Sequence, residues 1–374
     1  MAERPAPLVL VATPQDGQPF GSHAAVAAEG QRLLAAELTH RLGRLGAAVA
    51  PLPAVIPPTG EAFHWGRWFT DAARAAARTG DLDAIGYAGA GALALLDDLA
   101  LDALLSPTPG EVVANNRFSA DAFVVSGDLD RALHALVECE TDNAAPRRLE
   151  AAGFTWRDVG AQRWARFDVD TTLDLALLRL ASRLAGTRPL DQAVRAFLEM
   201  GRLPGGRPLE VPHFERLGEV IRDRSAELVV AGRVAGPTFA ELETETACRV
   251  RALVEERGMR SASRAQRPRS FLAALMRRSS PADLVGELAG LGDAVVLDTR
   301  VLMAAVAGSA DAAAWPPEEE RFASDFGQHD RIGTPWLREL TEAAVRTAVP
   351  VVMGGHALVS DGLRIIVAAA WQGR

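Results

Sequence analysis

The sequence contains no lysine: all 40 of its Lys and Arg residues are arginine. This excludes Schiff-base chemistry, a Walker-type phosphate lysine and a lysine general base, because each needs an amine that can lose its proton or be aimed at a phosphate. Any anion held by this chain must be held by arginine forks or backbone N–H groups. Cysteine is nearly as scarce. Cys139 and Cys248 are the only two, more than a hundred positions apart and without CxxC or metal-ligand spacing. They read as small core residues of a reduced protein. No run approaches the roughly 18 to 20 apolar residues of a membrane span, and the opening MAERPAPLVLVATP lacks the basic segment and long apolar stretch of a secretory signal. A cytoplasmic protein with no membrane partner is expected. HExxH and GxSxG patterns are missing as well, which argues against the usual zinc and serine hydrolases.

What is present points to a globular chain. With 374 residues and 48% hydrophobic content, it is long enough for two or three domains with cores of their own. The net charge of -8 would repel a nucleic-acid backbone, so no nucleic-acid partner is expected. Along the first half, LVLVAT, AAVAPLPA and LDAIGYAG have strand length and alternate with the helical segments AAVAAEGQRLLAAELTHRL and HWGRWFTDAARAAART. This alternation implies a parallel sheet with crossover helices, an α/β layered domain. VVANNRFSADAFVVSG breaks the rhythm with two apolar runs around a polar loop, read as neighbouring strands framing a pocket. RWARFDVD reads as a closing strand before the helix DLALLRLASRLAG. The Pro- and Gly-rich stretch that follows places a boundary near residue 190, giving domains over 1–190 and 191–374. The second half is again α/β, with strands in AELVVAGRV, DAVVLDT and VPVVMGG and a long helix over FAELETETACRVRALVEERG.

In a doubly wound sheet, ligands bind at the carboxyl ends of strands, where loops enter helices. Three segments of the first half stand there. In PQDGQPFGSH, Gly17 and Gly21 permit close backbone approach to a phosphate and Ser22 can cap the helix; the spacing matches neither GxGxxG nor the Walker pattern, and a plain strand-to-helix turn is the alternative. In ANNRFSAD, Asn115, Asn116, Arg117, Ser119 and Asp121 offer amide, guanidinium, hydroxyl and carboxylate groups suited to substrate; a solvated hairpin is the alternative. In FDVDTTLD, Asp168 and Asp170 alternate onto one face, roughly 7 Å apart. They suit Mg²⁺, which takes one or two carboxylates with phosphates and waters; helix capping by Asp170 or Thr171 is the competing reading.

The order of these segments, closing on FDVDTTLDLALL, resembles the nucleotidyltransferases of GT-A fold, in particular the guanylyl- and cytidylyltransferases of molybdenum-cofactor and coenzyme F420 biosynthesis. Asp168, Asp170, Thr171, Asp174 and Leu175 match the family's D-x-D-T-P-x-D-L, with Thr172 in place of proline. The likeness spans about residues 6 to 186. It implies a Rossmann-like GT-A domain, a nucleotide and a small-molecule acceptor as partners, and a metal held near Asp168 and Asp170. Two departures stand beside it. The first loop has no arginine or lysine for a triphosphate, only His23, and the family's Gly-Asp-x-Pro-like turn is replaced by GYAGAG, with Tyr87 and Gly89. The implied activity is nucleotidyl transfer, with nucleotide-sugar transfer or a noncatalytic metabolite sensor as alternatives.

In the second half, ERGMRSASRAQRPRS gathers Arg260 and Arg264 with other arginines, a candidate for phosphate or carboxylate and equally an exposed basic loop. VLDTR puts Asp298 and Arg300 at a strand end, while Asp325 and His356 come from separate later segments. His356 follows Gly354 and Gly355, which let a ligand approach the backbone.

Overall fold

The computed structural model describes residues 6–14, 17–19, 21–54, 63–77, 82–159, 163–259 and 267–372. It is a two-unit α/β protein. One unit comprises the chain up to Asp170 without Pro19–Ala27 but with Leu190–Val194; the other comprises Pro19–Ala27, Thr171–Pro189 and Arg195 onward. The helix Thr172–Ala181 thus belongs to the second unit, whereas the sequence reading groups it with the first.

The first unit is built on six strands: β1 Leu8–Thr13, β2 Ala48–Pro53, β3 Ala84–Ala88, β4 Glu111–Ala114, β5 Ala122–Ser126 and β6 Thr155–Asp158. They lie in the order β2-β1-β3-β5-β4-β6. β5 runs antiparallel to both neighbours and the other pairings are parallel. The cause is local. The loop between β4 and β5 is too short for a crossover and can only turn back, whereas helices return the chain between the parallel strands. Alternate residues of each strand supply two cores. Leu8, Leu10, Ile85, Tyr87 and Phe123 meet Trp65 and Phe69 on one face, and Val9, Val11, Val113 and Val124 meet Leu38 and Leu42 on the other.

The expected strand RWARFDVD does not form. Residues 163–166 turn, and 167–170 run outside any ladder. The sixth strand is instead TWRD, a short edge strand paired only with β4, whose half-exposed residues carry no apolar run.

The second unit has a sheet of four parallel strands, β7 Glu227–Gly232, β8 Arg249–Val254, β9 Ala294–Asp298 and β10 Val351–Gly354, in the order β10-β9-β7-β8. The long helix expected over FAELETETACRVRALVEERG is instead a helix Gly236–Glu245 followed by β8. RVRALV lies at the sheet edge with Val254 48% exposed, so its mixed pattern satisfies a one-sided strand. From β7 the chain moves to β8 on one side and later to β9 on the other. The β7–β9 boundary is therefore the switch point, where the connections part in opposite directions.

Candidate functional site

In the first unit, the chain beyond the β3 carboxyl end is held by backbone contact. The amide of Val169 donates to the Gly91 carbonyl at 3.3 Å, and a Cβ on Gly91 would stand 2.2 Å from the Val169 carbonyl oxygen. Val169 is fully buried, Asp168 half-buried and Asp170 exposed. One oxygen of Asp168 accepts its neighbour's amide, Val169 N, at 2.9 Å. The helix that follows is capped without either acid. Thr171 Oγ1 accepts the Asp174 amide at 3.2 Å, and the Asp174 carboxylate accepts from the amide and hydroxyl of Thr171 at 2.8 and 2.9 Å.

Asp168 lies close enough to Tyr87 to act on its ionisation. Tyr87 is buried, with its hydroxyl 3.4 Å from Asp142 Oδ2. Burial first, then the negative charges of Asp142, Asp168 and Asp121, push its pKa well above the ordinary phenol value. It stays a neutral hydroxyl, edge-on to Trp65 at 5.1 Å. The β4–β5 loop closes around the same strand end. Gly89 donates its amide to the Asp121 carbonyl at 2.8 Å. Asn115 is the staple: its amide nitrogen donates to Asp121 Oδ2 and to the Ala165 carbonyl, both at 3.2 Å, and its oxygen accepts the amides of Asp121 and Ala122. Asn116 accepts the Phe118 amide in a turn. Arg117 makes a two-pronged bond to Glu150 and lies over Phe118 and Trp156. Ser119 donates to Asn143. Asp142 and Asn143 escape the sequence reading because they lie within a segment that reads only as helical.

Gly17 adopts φ 85°, with open space around it. Gly21 and Ser22 fall within the second unit. Gly21 has φ 74°, and Ser22 Oγ accepts the Ala25 amide at 3.0 Å, so its hydroxyl serves the helix His23–Arg44. His23 is buried between Gln328 and Thr172 and stacked on Phe326. Burial lowers its pKa, offset in part by Gln328 and Glu319, so it is no phosphate clamp. Among the described residues, no group of three or more His, Cys, Asp and Glu side chains is placed to hold a metal ion.

The second unit brings together residues that the sequence scatters. Asp298, the last residue of β9, is fully buried. Arg233, directly after β7, grips it with Nε at 2.6 Å and Nη2 at 3.0 Å. Asp298 also accepts the backbone amides of Arg233 and Arg300. Burial alone would raise the Asp298 pKa; Arg233 foremost, with His356 and Arg300, outweighs it and holds the carboxyl below its ordinary range. Arg300 in turn makes a two-pronged bond to buried Asp325 and donates to Thr299 Oγ1. His356 is exposed after β10. Arg233 was missed by sequence reading, though its signal was there: a glycine turn at a strand end. The candidates Arg260 and Arg264 lie outside the described residues.

No protein-family model and no curated protein matches the chain. Among solved structures, it is similar to a candidate nucleotide-diphospho-sugar transferase from Desulfovibrio desulfuricans G20, with 14% identity and a TM-score of 0.35 over 52% of this chain and 93% of that one.

Proposed function

We propose that the first unit is a GT-A-like nucleotide-binding domain of a transferase, and that it passes a nucleotidyl group from an NTP to a small phosphorylated or acidic acceptor. The observation that carries this reading is the placement of Asp168 and Asp170. Val169 pins the segment beside the carboxyl end of β3, while Thr171 and Asp174 take over the helix cap. Two carboxylates fit Mg²⁺, which commonly uses one or two together with phosphate and water oxygens, so Asp168 and Asp170 would hold it. The ion would supply neutralisation of charge on the transferring phosphate. The residues of this unit would position the ligands: the Asn115 staple fixes the β4–β5 loop, and Asn116 and Ser119 on that loop would contact the acceptor.

The test is a thermal-shift panel of NTPs and nucleotide sugars with and without Mg²⁺, since a ligand preferring the folded state raises the midpoint. A magnesium-dependent rise, abolished in Asp170→Asn, followed by pyrophosphate release with an acceptor, is the expected result. Magnesium dependence unchanged in both Asp168→Asn and Asp170→Asn sinks the reading. A second reading, a nucleotide or metabolite sensor without turnover, draws on Tyr87 standing where the resembling family has an acid and on Arg117 being engaged by Glu150. Stabilisation by nucleotide without pyrophosphate release distinguishes it. A response to nucleotide sugars alone would favour glycosyl transfer.

A further inference from the structure

The carboxyl edge of the second sheet buries two Arg–Asp ion pairs. Buried ion pairs rarely gain more than the desolvation they cost, and apolar replacements are often neutral or better. Yet this unit buries Arg233 with Asp298 and Arg300 with Asp325 around the β7–β9 switch point. The carboxylates there are occupied. Asp298 accepts from Arg233 N, Nε and Nη2 and from the Arg300 amide, and both oxygens of Asp325 face Arg300. What remains over is donor capacity. Arg233 Nη1 and Arg300 Nε donate to no described residue, although their residues are only 5% and 6% exposed.

Beside Arg300 a glycine leaves room that a side chain would take. A Cβ on Gly355 would lie 3.6 Å from Arg300 Nε and 3.9 Å from its Cγ, at ordinary contact distance from the unused N–H group. His356, the next residue, is exposed and close enough to Asp298 to affect its charge. The helix Thr299–Ala307 starts at the same edge and favours negative charge at its first turn.

We propose that this edge is an anion site of the second unit, independent of any nucleotide chemistry in the first. It takes a small oxyanion group, carboxylate or phosphoryl, between Arg233 Nη1, Arg300 Nε and His356. Asp298 and Asp325 act on the ligand only through the arginines they orient. In a chain without lysine, pre-set guanidinium groups are the available means of holding such a group.

The experiment is calorimetric titration of the full chain with inorganic phosphate and, separately, with acetate. Gly355→Ala is the informative variant, because its methyl group meets Arg300 at ordinary van der Waals distance and leaves both ion pairs intact. Binding of at least one anion is expected, the tighter one naming the class. Gly355→Ala should weaken it about tenfold, the loss of roughly 1.4 kcal/mol, with an unchanged thermal midpoint, and His356→Gln should weaken it in the same direction. Absence of binding to both anions overturns the proposal. So does binding that Gly355→Ala and His356→Gln leave unaltered, since the anion then sits elsewhere, including the first unit.

Discussion

Gly91 and Val169 are in backbone contact: a Cβ at residue 91 would stand 2.2 Å from the Val169 carbonyl oxygen and 2.8 Å from its nitrogen. Backbone cannot swing aside as the end of a flexible side chain can. Gly91→Ala must therefore displace the segment carrying Asp168 and Asp170. The expected cost is about 1–3 kcal/mol, the usual range for overpacking, read by urea denaturation. The magnesium-dependent nucleotide response should fall with it. Wild-type stability in this variant would mean that the crossing does not hold in solution.

The capping arrangement separates two roles that the sequence leaves entangled in DTTLD. Thr171→Ala removes the acceptor for the Asp174 amide and the reciprocal hydroxyl contact, and should cost about 1 kcal/mol. Asp170→Ala, exposed and outside the cap, should change stability by less than about 0.5 kcal/mol. The two denaturation midpoints test this directly. An Asp170→Ala loss as large as that of Thr171→Ala would return Asp170 to a structural role and weaken the metal reading.

The strands with the longest apolar runs were legible, because buried parallel strands write themselves as LVLVAT, ELVVAG and AVVLD. The antiparallel pair around ANNRFSAD was legible from its short polar loop. The edge strands were not. TWRD and RVRALV bury little on one side, so neither carries a continuous apolar run, and pairing at a sheet edge defines them. FDVD looks like a strand because it has the right residues, but ladder formation needs a partner edge, and what the Val169 amide meets is the single carbonyl of Gly91, while the Val169 carbonyl accepts from the Gln31 side chain. In the second unit, Asp298, Arg300, Asp325 and His356 were each visible as strand-end or loop residues. Their convergence was not, since it depends on which strands lie side by side, and Arg233 became recognisable only once β7 was placed next to β9.

The two thiols offer a simple check on both units. Cys139 lies in the first core, where burial pushes its pKa up to about 11, and burial likewise raises that of Cys248. The thiolate is the reactive species. Ellman's reagent at pH 8 should thus find almost no reaction in the native chain and two thiols per chain in denaturant. Rapid native reaction of either thiol would show that the segment around it opens.

Asp298 gives the sharpest pH prediction. Its folded-state pKa is depressed, because Arg233 and the neighbouring positive groups outweigh the upward push of burial. A depressed carboxylate contributes stability that is fully present above its unfolded value of about 4 and is lost as the pH falls through the lower folded-state value. Asp325 has the opposite sign: burial pushes its pKa up despite Arg300, so folding favours its protonated form and its term is favourable at low pH and lost as the pH rises through the folded value. The acid limb of the wild type therefore mixes the two, and the difference between wild type and Asp298→Asn isolates the first. At pH 7 the variant leaves the buried Arg233 guanidinium without its counter-charge, which should cost about 3–5 kcal/mol. Below pH 4 that difference should shrink, because the unfolded wild type takes up a proton there that the folded carboxylate resists. Urea denaturation of both proteins from pH 7 to pH 3 measures it, and a gap that stays constant across the range would show that the Asp298 carboxylate does not hold Arg233 as an ion pair.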